Sequence, residues 1–212
     1  MYRLHYTPAF SSLAPHMVLR HLGVPFEPVL VDMEDGENRR APFLALNPLG
    51  LVPVLEDGPL VLTETAAICL HLADRHPEAG LAPPIGTTER AELYRWLMYL
   101  TNTLQAEFFI WFHPDRLSDD EATAAQVKAH AEARIDGMFD HIASHLAANG
   151  PNLCGQRFTV ADPFLVMLAL WGLDLKRPAR DVAYLNAYLE RQTGLPSIRA
   201  TFDAEGLPQP WF

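Results

Sequence analysis

The 212-residue chain has only two cysteines, Cys69 and Cys154, with no Cys-x-x-Cys pair and no spacing that suits a metal. Their scarcity excludes a disulfide framework and a dithiol redox motif, and Cys69, among apolar neighbours at helical spacing, reads as a small buried side chain. Long apolar runs are missing as well. The longest, Pro163 to Leu173, has about half of the ~20 residues that a membrane-spanning helix needs. There is no basic stripe: the formal net charge is −10, with 5 basic and 10 acidic side chains in residues 1–80 and 11 and 16 in the remainder. That balance argues against nucleic acid and anionic membrane as partners. Strand-like alternation starts at Tyr2 (Tyr2, Leu4 and Tyr6 against Arg3 and His5), which leaves no room for a signal peptide, so a cytoplasmic protein is expected. Repeats and low-complexity tracts are absent too.

What is present is a globular composition, 49% hydrophobic and 20% charged, enough for one large core or two small ones. Tyr2 to Tyr6 reads as a strand, and Leu13, Met17, Val18 and Leu22 form a helical stripe ended by Gly23 and Pro25. Pro15 is tolerated only near a first turn, which places the helix start at Ser11 or Ser12. Phe26 to Val31 is a second strand, completing a βαβ unit. After a polar segment, Asp32 to Arg40, comes the stretch that organises the chain, Asn47 to Asp74. Asn47-Pro48-Leu49-Gly50 is turn chemistry, Val52 to Leu55 a strand, Asp57-Gly58 a hairpin signal and Leu60 to Leu62 the return strand. From Thr65 the apolar period becomes helical, with Ile68 and Leu72 at i, i+4.

A linker rich in proline and glycine follows, and everything beyond reads as helix. Thr87 or Thr88 caps a segment with Leu93, Trp96, Leu97, Leu100 and Leu104 on one face. Ser118 to Glu121 reads as a capping box opening a long helix with Val127, Ala131, Ile135, Met138, Ile142 and Leu146 inward. Thr159 and Asp162 cap the most apolar helix, and Val182 to Thr193 and Pro196 to Glu205 supply two more. The expected domains are 1–77, a linker at 78–86, and an all-helical 87–212. His141 and His145 have the i, i+4 spacing of two metal ligands, but no adjacent acid and no third ligand, so no metal is expected.

Two features of the organising stretch point to a ligand. A cis Val52-Pro53 bond would turn the Val52 N–H and C=O outward, towards an extended ligand backbone. Glu64 and Thr65 at a helix N-terminus offer a carboxylate, a hydroxyl and unpaired N–H groups, which suit a zwitterionic or anionic end. Val52-Pro53 followed by Glu64-Thr65 resembles the glutathione-binding half of glutathione S-transferases, and the all-helical remainder extends the likeness to nearly the whole chain. The nearest pattern is the bacterial beta class, whose Pro-Gly-Ala-Cys-Ser-Leu-Ala motif reads here Pro8-Ala9-Phe10-Ser11-Ser12-Leu13-Ala14. The segment from Gly155 to Leu165, with its Thr159 and Asp162 cap, is also similar to the family.

The resemblance implies an α+β thioredoxin-like N-terminal domain (βαβ–ββα) with an all-α C-terminal domain, and glutathione as co-substrate. It further implies a homodimer and addition of the glutathione thiolate to a small apolar electrophile. Isomerisation or reductive dehalogenation on the same site, or a non-catalytic binding or regulatory protein, are the alternatives. Ser11 stands where the beta class has its cysteine. A serine forms no mixed disulfide, but it can donate a hydrogen bond to the glutathione sulfur and favour the thiolate. A hydrogen bond to a charged acceptor contributes roughly 1.5–3 kcal/mol and a helix N-terminus about 0.3–1, together about 1.5–3 pKa units. Ser12 and Tyr6 are the other candidate donors, and one of the serines is expected to cap the helix.

The class lysine and histidine are unmatched. Arg39 is a candidate for a glutathione carboxylate, and Asn102 and Gln105, the latter at the histidine position, for reaching the ligand from the helical side. Phe10, Phe108 and Phe112 are candidates for the co-substrate pocket.

Overall fold

Alternation at the N-terminus decides how the first unit is layered. In the computed structural model, which describes residues 1–212, Tyr2–Tyr6 is strand β1 and Phe26–Leu30 is β2, parallel to it with Leu4 opposite Pro28. Val54–Asp57 (β3) and Leu60–Leu62 (β4) follow antiparallel, giving the sheet order β2-β1-β3-β4. Pro28 has no N–H to give a ladder, and it lies on the edge strand β2, where none is needed. Successive β1 side chains face opposite sides. Tyr6 meets His16 of helix α1 (Leu13–Leu22), and Tyr2 bonds His76 just beyond α3 (Thr65–Arg75). His5 meets Phe43 of the short α2 (Ala41–Leu44) on the other face, where Phe43 packs with Val31, Val52 and Val54.

The hairpin turn is one residue later than expected. Asp57 pairs with Leu60, so the two loop residues are Gly58 and Pro59, and Gly58 takes the φ of +59° that a tight hairpin needs at its first position. The polar segment before α2 carries a 3₁₀ turn, Glu37–Arg39, that has no apolar period to announce it.

The second unit, Pro83–Gln192, is helical. Thr87 caps α4 (Thr88–Tyr99) by accepting from the Arg90 N–H. A π-helical turn, Leu100–Leu104, joins α4 to α5 (Gln105–Phe112), and the expected stripe from Leu93 to Leu104 is fully buried across it. The long α6 (Glu121–Asn149) is capped by Asp120, whose carboxylate takes the Thr123 N–H at 2.8 Å. The expected capping box at Ser118 is not formed, because Ser118 bonds the Asp120 N–H instead. On α6, Phe139 rather than Met138 reaches the core. α7 (Ala161–Trp171) follows, and α8 spans Leu185–Thr193, three residues later than expected, since a 3₁₀ turn (Ala179–Asp181) and Tyr184 at φ +65° precede it.

The compact units depart from the expected division of the helical part. The segment Thr193–Trp211, with α9 (Pro196–Ala204), belongs to the first unit with Met1–Ala82. Ile198 and Phe202 give α9 a buried face that packs against α1.

Asp162 holds the second unit's core together at one point. Its buried carboxylate accepts from Thr159 N (2.7 Å), Leu153 N (3.0 Å) and the Tyr188 hydroxyl (3.1 Å). Burial pushes its pKa up to about 6, against the opposing pull of these donors. The folded protein therefore holds this proton where the unfolded chain has lost it. The stabilisation is complete below pH ~4 and is lost as pH rises through about 6, amounting to about 3 kcal/mol. Urea titrations of the wild type and Asp162→Asn should converge by that amount between pH 4 and 7. A gap that is constant with pH would mean that Asp162 titrates as it does in the unfolded chain.

Candidate functional site

The loop between β1 and α1 is closed by Ser12, which accepts from Thr7 N at 3.2 Å and donates to Thr7 O at 3.0 Å. Neither serine caps α1: Ser12 is already helical (φ −69°, ψ −17°) and its side chain is committed to Thr7. Ala9 sits at φ +63° and donates its N–H to Glu205 at 2.9 Å. Glu205 in turn accepts from His16 Nδ1 at 2.7 Å, in a pair buried to 1% and 0% side-chain exposure.

Ser11 is half-buried and joined to both halves of the organising stretch. Its hydroxyl donates to the Val52 carbonyl at 3.0 Å, and its own carbonyl accepts from the Thr65 hydroxyl, also at 3.0 Å. The Val52-Pro53 bond is cis, as expected. The Thr65 hydroxyl, expected to meet a ligand carboxylate, instead fixes the Ser11 backbone. What α3 leaves open are the N–H groups of its first turn, which have no intrahelical acceptor.

Beside them, Glu64 is exposed, its side chain has no hydrogen-bond or ion-pair partner, and its backbone is at φ +69°. A non-glycine residue there carries about 1–3 kcal/mol of strain, a condition that clusters at ligand sites.

Two asparagines shape the approach to Val52. Asn38 Nδ2 donates to Gly50 O at 2.8 Å, and Asn47 Nδ2 to Leu51 O at 2.7 Å. Gly50 is at φ +67°, and a Cβ there would lie 3.0 Å from the Asn38 carbonyl, so the turn requires glycine. Sequence alone marked the Asn47 turn but missed Asn38, His16 and Glu205, whose partners are distant in the chain.

The other candidates are scattered. Tyr6 is half-buried with its ring edge-on to His16, 5.5 Å between centroids, and burial and the Glu205 charge raise its pKa, while Arg20 lowers it. Its phenol is therefore kept protonated, able to donate but no base. Arg39 is exposed with no partner for its side chain, and Phe10 is 43% exposed.

In the second unit Asn102 is exposed on the π turn, and Gln105 is buried, accepting from the Thr101 hydroxyl at 3.2 Å. Phe108 does not line an open pocket. It is completely buried against Phe139 and Trp171, a core position that its place on the inner face of α5 dictates. The exposed rings of α5 are Phe109 and Phe112, each 5.9 Å from the half-exposed Trp171 ring. Phe109 stood beside the expected pair in the same aromatic run; Trp171 had no signal beyond its apolar helix. His145 bonds the Leu153 carbonyl at 2.9 Å and packs on Trp96.

Residues 11–75 match the family pattern described as Glutathione S-transferase, N-terminal domain. Glutathione S-transferase GstA of Escherichia coli O157:H7 is 32% identical over 97% of this chain and 99% of its own. The chain belongs to the glutathione S-transferase family.

Two solved structures carry the fold over nearly its full length. One is a bacterial beta class glutathione S-transferase from Sphingomonas chungbukensis, the other a sphingomonad glutathione S-transferase complexed with glutathione. Each is 32% identical with a TM-score of 0.85, covering 97% of this chain and 100% of the other. The transferase fold thus extends over both units, and the thioredoxin-like sheet carries the cis-proline turn and the Glu64-Thr65 helix start.

Proposed function

We propose that this family member is a glutathione transferase that adds the glutathione thiolate to a small apolar electrophile. The observation that carries the reading is the hydrogen-bonded junction of Ser11, Val52 and Thr65, with an unpartnered Glu64 beside it. Glutathione lies along Val52 in this reading. Its cysteinyl N–H replaces the Ser11 hydroxyl on the Val52 carbonyl, and the freed hydroxyl turns to the sulfur. Glu64 takes the γ-glutamyl ammonium, and the free N–H groups at the start of α3 take the γ-glutamyl carboxylate. Arg39 is an exposed cation for the glycyl end, and in the second unit Phe109 and Phe112 form an exposed apolar surface with Trp171.

Replacing Glu64 by Ala removes a charge-assisted hydrogen bond worth roughly 1.5–3 kcal/mol, so glutathione affinity by calorimetry should fall about 10- to 150-fold. An unchanged affinity would put the ligand elsewhere. A second reading, a binding protein without turnover, is favoured by two polar groups that already have partners, Ser11 on Val52 and Gln105 on Thr101. Turnover of a chlorodinitrobenzene by a protein that binds glutathione separates the two.

The active form is proposed to be a homodimer. α3 and the two long helices α4 and α6 meet their mates, and the exposed Tyr94 and Met98, one turn apart on α4, become covered. Light scattering at micromolar concentration should give twice the chain mass; a monomer there would refute this arrangement.

A further inference from the structure

Within the first unit, α1 and α9 leave between them a cleft of about 350 Å³ that the glutathione reading does not use. Its walls are apolar, formed by Leu19, Val24, Phe26, Pro196 and Ala200, and its polar groups are Arg20 and Ser197. Small-molecule sites combine such walls with a few fixed polar groups at volumes of about 300–1,000 Å³.

Arg20 is held in place. Its Nε donates to His16 Nε2 at 3.3 Å, and its guanidinium carbon lies 5.7 Å from the Phe26 ring centroid. It has no ion pair, because Glu205, the buried acid of this region, is engaged by His16 and the Ala9 N–H. Its two terminal amino groups therefore keep four N–H donors, in a fork whose shape matches a carboxylate. The first turn of α9, beginning at Pro196, forms the facing wall, and the positive end of its dipole adds to the same field.

We propose that this cleft is a second ligand site, separate from the glutathione site, for a small organic monocarboxylate with an apolar body, such as an aryl acetate. The carboxylate meets the Arg20 fork, and the apolar body lies on Phe26, Val24 and Ala200. One cation with no second basic residue in the lining favours a single negative charge over a phosphate dianion. An aromatic or branched body matches the five apolar walls. Orientation of the guanidinium before binding removes part of the ordering cost that a free arginine would incur.

The test is calorimetry of the full chain with phenylacetate, in the presence of saturating S-methylglutathione to fill the other site. Saturable binding is expected in the high-micromolar to millimolar range, with the neutral phenylacetamide at least tenfold weaker. Arg20→Gln should weaken phenylacetate at least tenfold. Ala200→Trp, an exposed position away from the buried His16–Glu205 pair, should fill the cleft and abolish binding, which keeps the test valid if Arg20→Gln folds poorly. Absence of saturable heat up to about 10 mM, displacement of phenylacetate by S-methylglutathione, or indifference to Ala200→Trp would overturn the site. None of these outcomes bears on whether glutathione binds beside Ser11.

Discussion

In Ser11→Ala, turnover at neutral pH should fall about ten- to a hundredfold while glutathione affinity stays nearly intact, because Val52, Glu64 and the start of α3 still hold the ligand backbone. The magnitude follows from losing one hydrogen bond to a charged acceptor, about 1.5–3 kcal/mol, which corresponds to a rise of about 1–2 units in the pKa of the bound thiol. The structure adds a constraint. The Ser11 hydroxyl donates to the Val52 carbonyl, so its bond to sulfur is made at the expense of a neutral one. The exchange is favourable only if the ligand supplies another donor to Val52, which an extended peptide does. Activity of the variant should recover partly at high pH, where the thiol ionises unaided. Ultraviolet thiolate absorbance of bound glutathione against pH, for wild type and variant, reads the effect directly. Superimposable curves would reduce Ser11 to a tie between the loop and Val52, and Tyr6, whose phenol remains protonated, would be the donor to test next.

Elements with a clean period were legible in the sequence. The β1–α1–β2 unit followed from alternation and a helical stripe, and the run from Leu93 to Leu104 is buried as its spacing requires. The cis-proline turn and the Glu64-Thr65 helix start were also legible, because proline, glycine and a change of period act locally. Errors arose where a side chain chose a distant partner. Ser11 looked like a helix cap, yet its hydroxyl crosses 41 residues to Val52, and the Thr65 hydroxyl crosses 54 to Ser11. Hydroxyl groups signal a cap only when the helix is their best acceptor or donor, and here a close strand end supplies a better one. Phe108 and Phe112 are four residues apart on α5 and were read alike, but one is fully buried and the other 42% exposed. An aromatic run marks an apolar neighbourhood and does not say which ring is covered. Glu205 gave no local hint at all, since its two partners lie 189 and 196 residues away.

Glu205→Ala should lower the folding free energy by about 3–5 kcal/mol, the usual consequence of removing one member of a buried charged or hydrogen-bonded pair. The substitution leaves the His16 Nδ1–H without its acceptor in a site that water does not reach, and takes from the Ala9 N–H its bond to the carboxylate. It also removes the tie between the α9 segment and the loop that carries Ser11. Glu205→Gln separates these contributions. An amide offers a single oxygen to two donors and turns its own NH₂ towards one of them, so stability should be intermediate, about 2–3 kcal/mol below wild type. Replacing the pair together, His16→Phe with Glu205→Leu, should recover part of the stability lost in Glu205→Ala, because neither member of the pair is then left buried without the other, while the Arg20 Nε and the Ala9 N–H each lose one bond. Urea unfolding of the three variants measures this order. A change below about 1 kcal/mol in Glu205→Ala would mean that the C-terminal segment is held by the α1–α9 apolar contact alone. Ala9 would then keep its φ of +63° by packing rather than through the carboxylate.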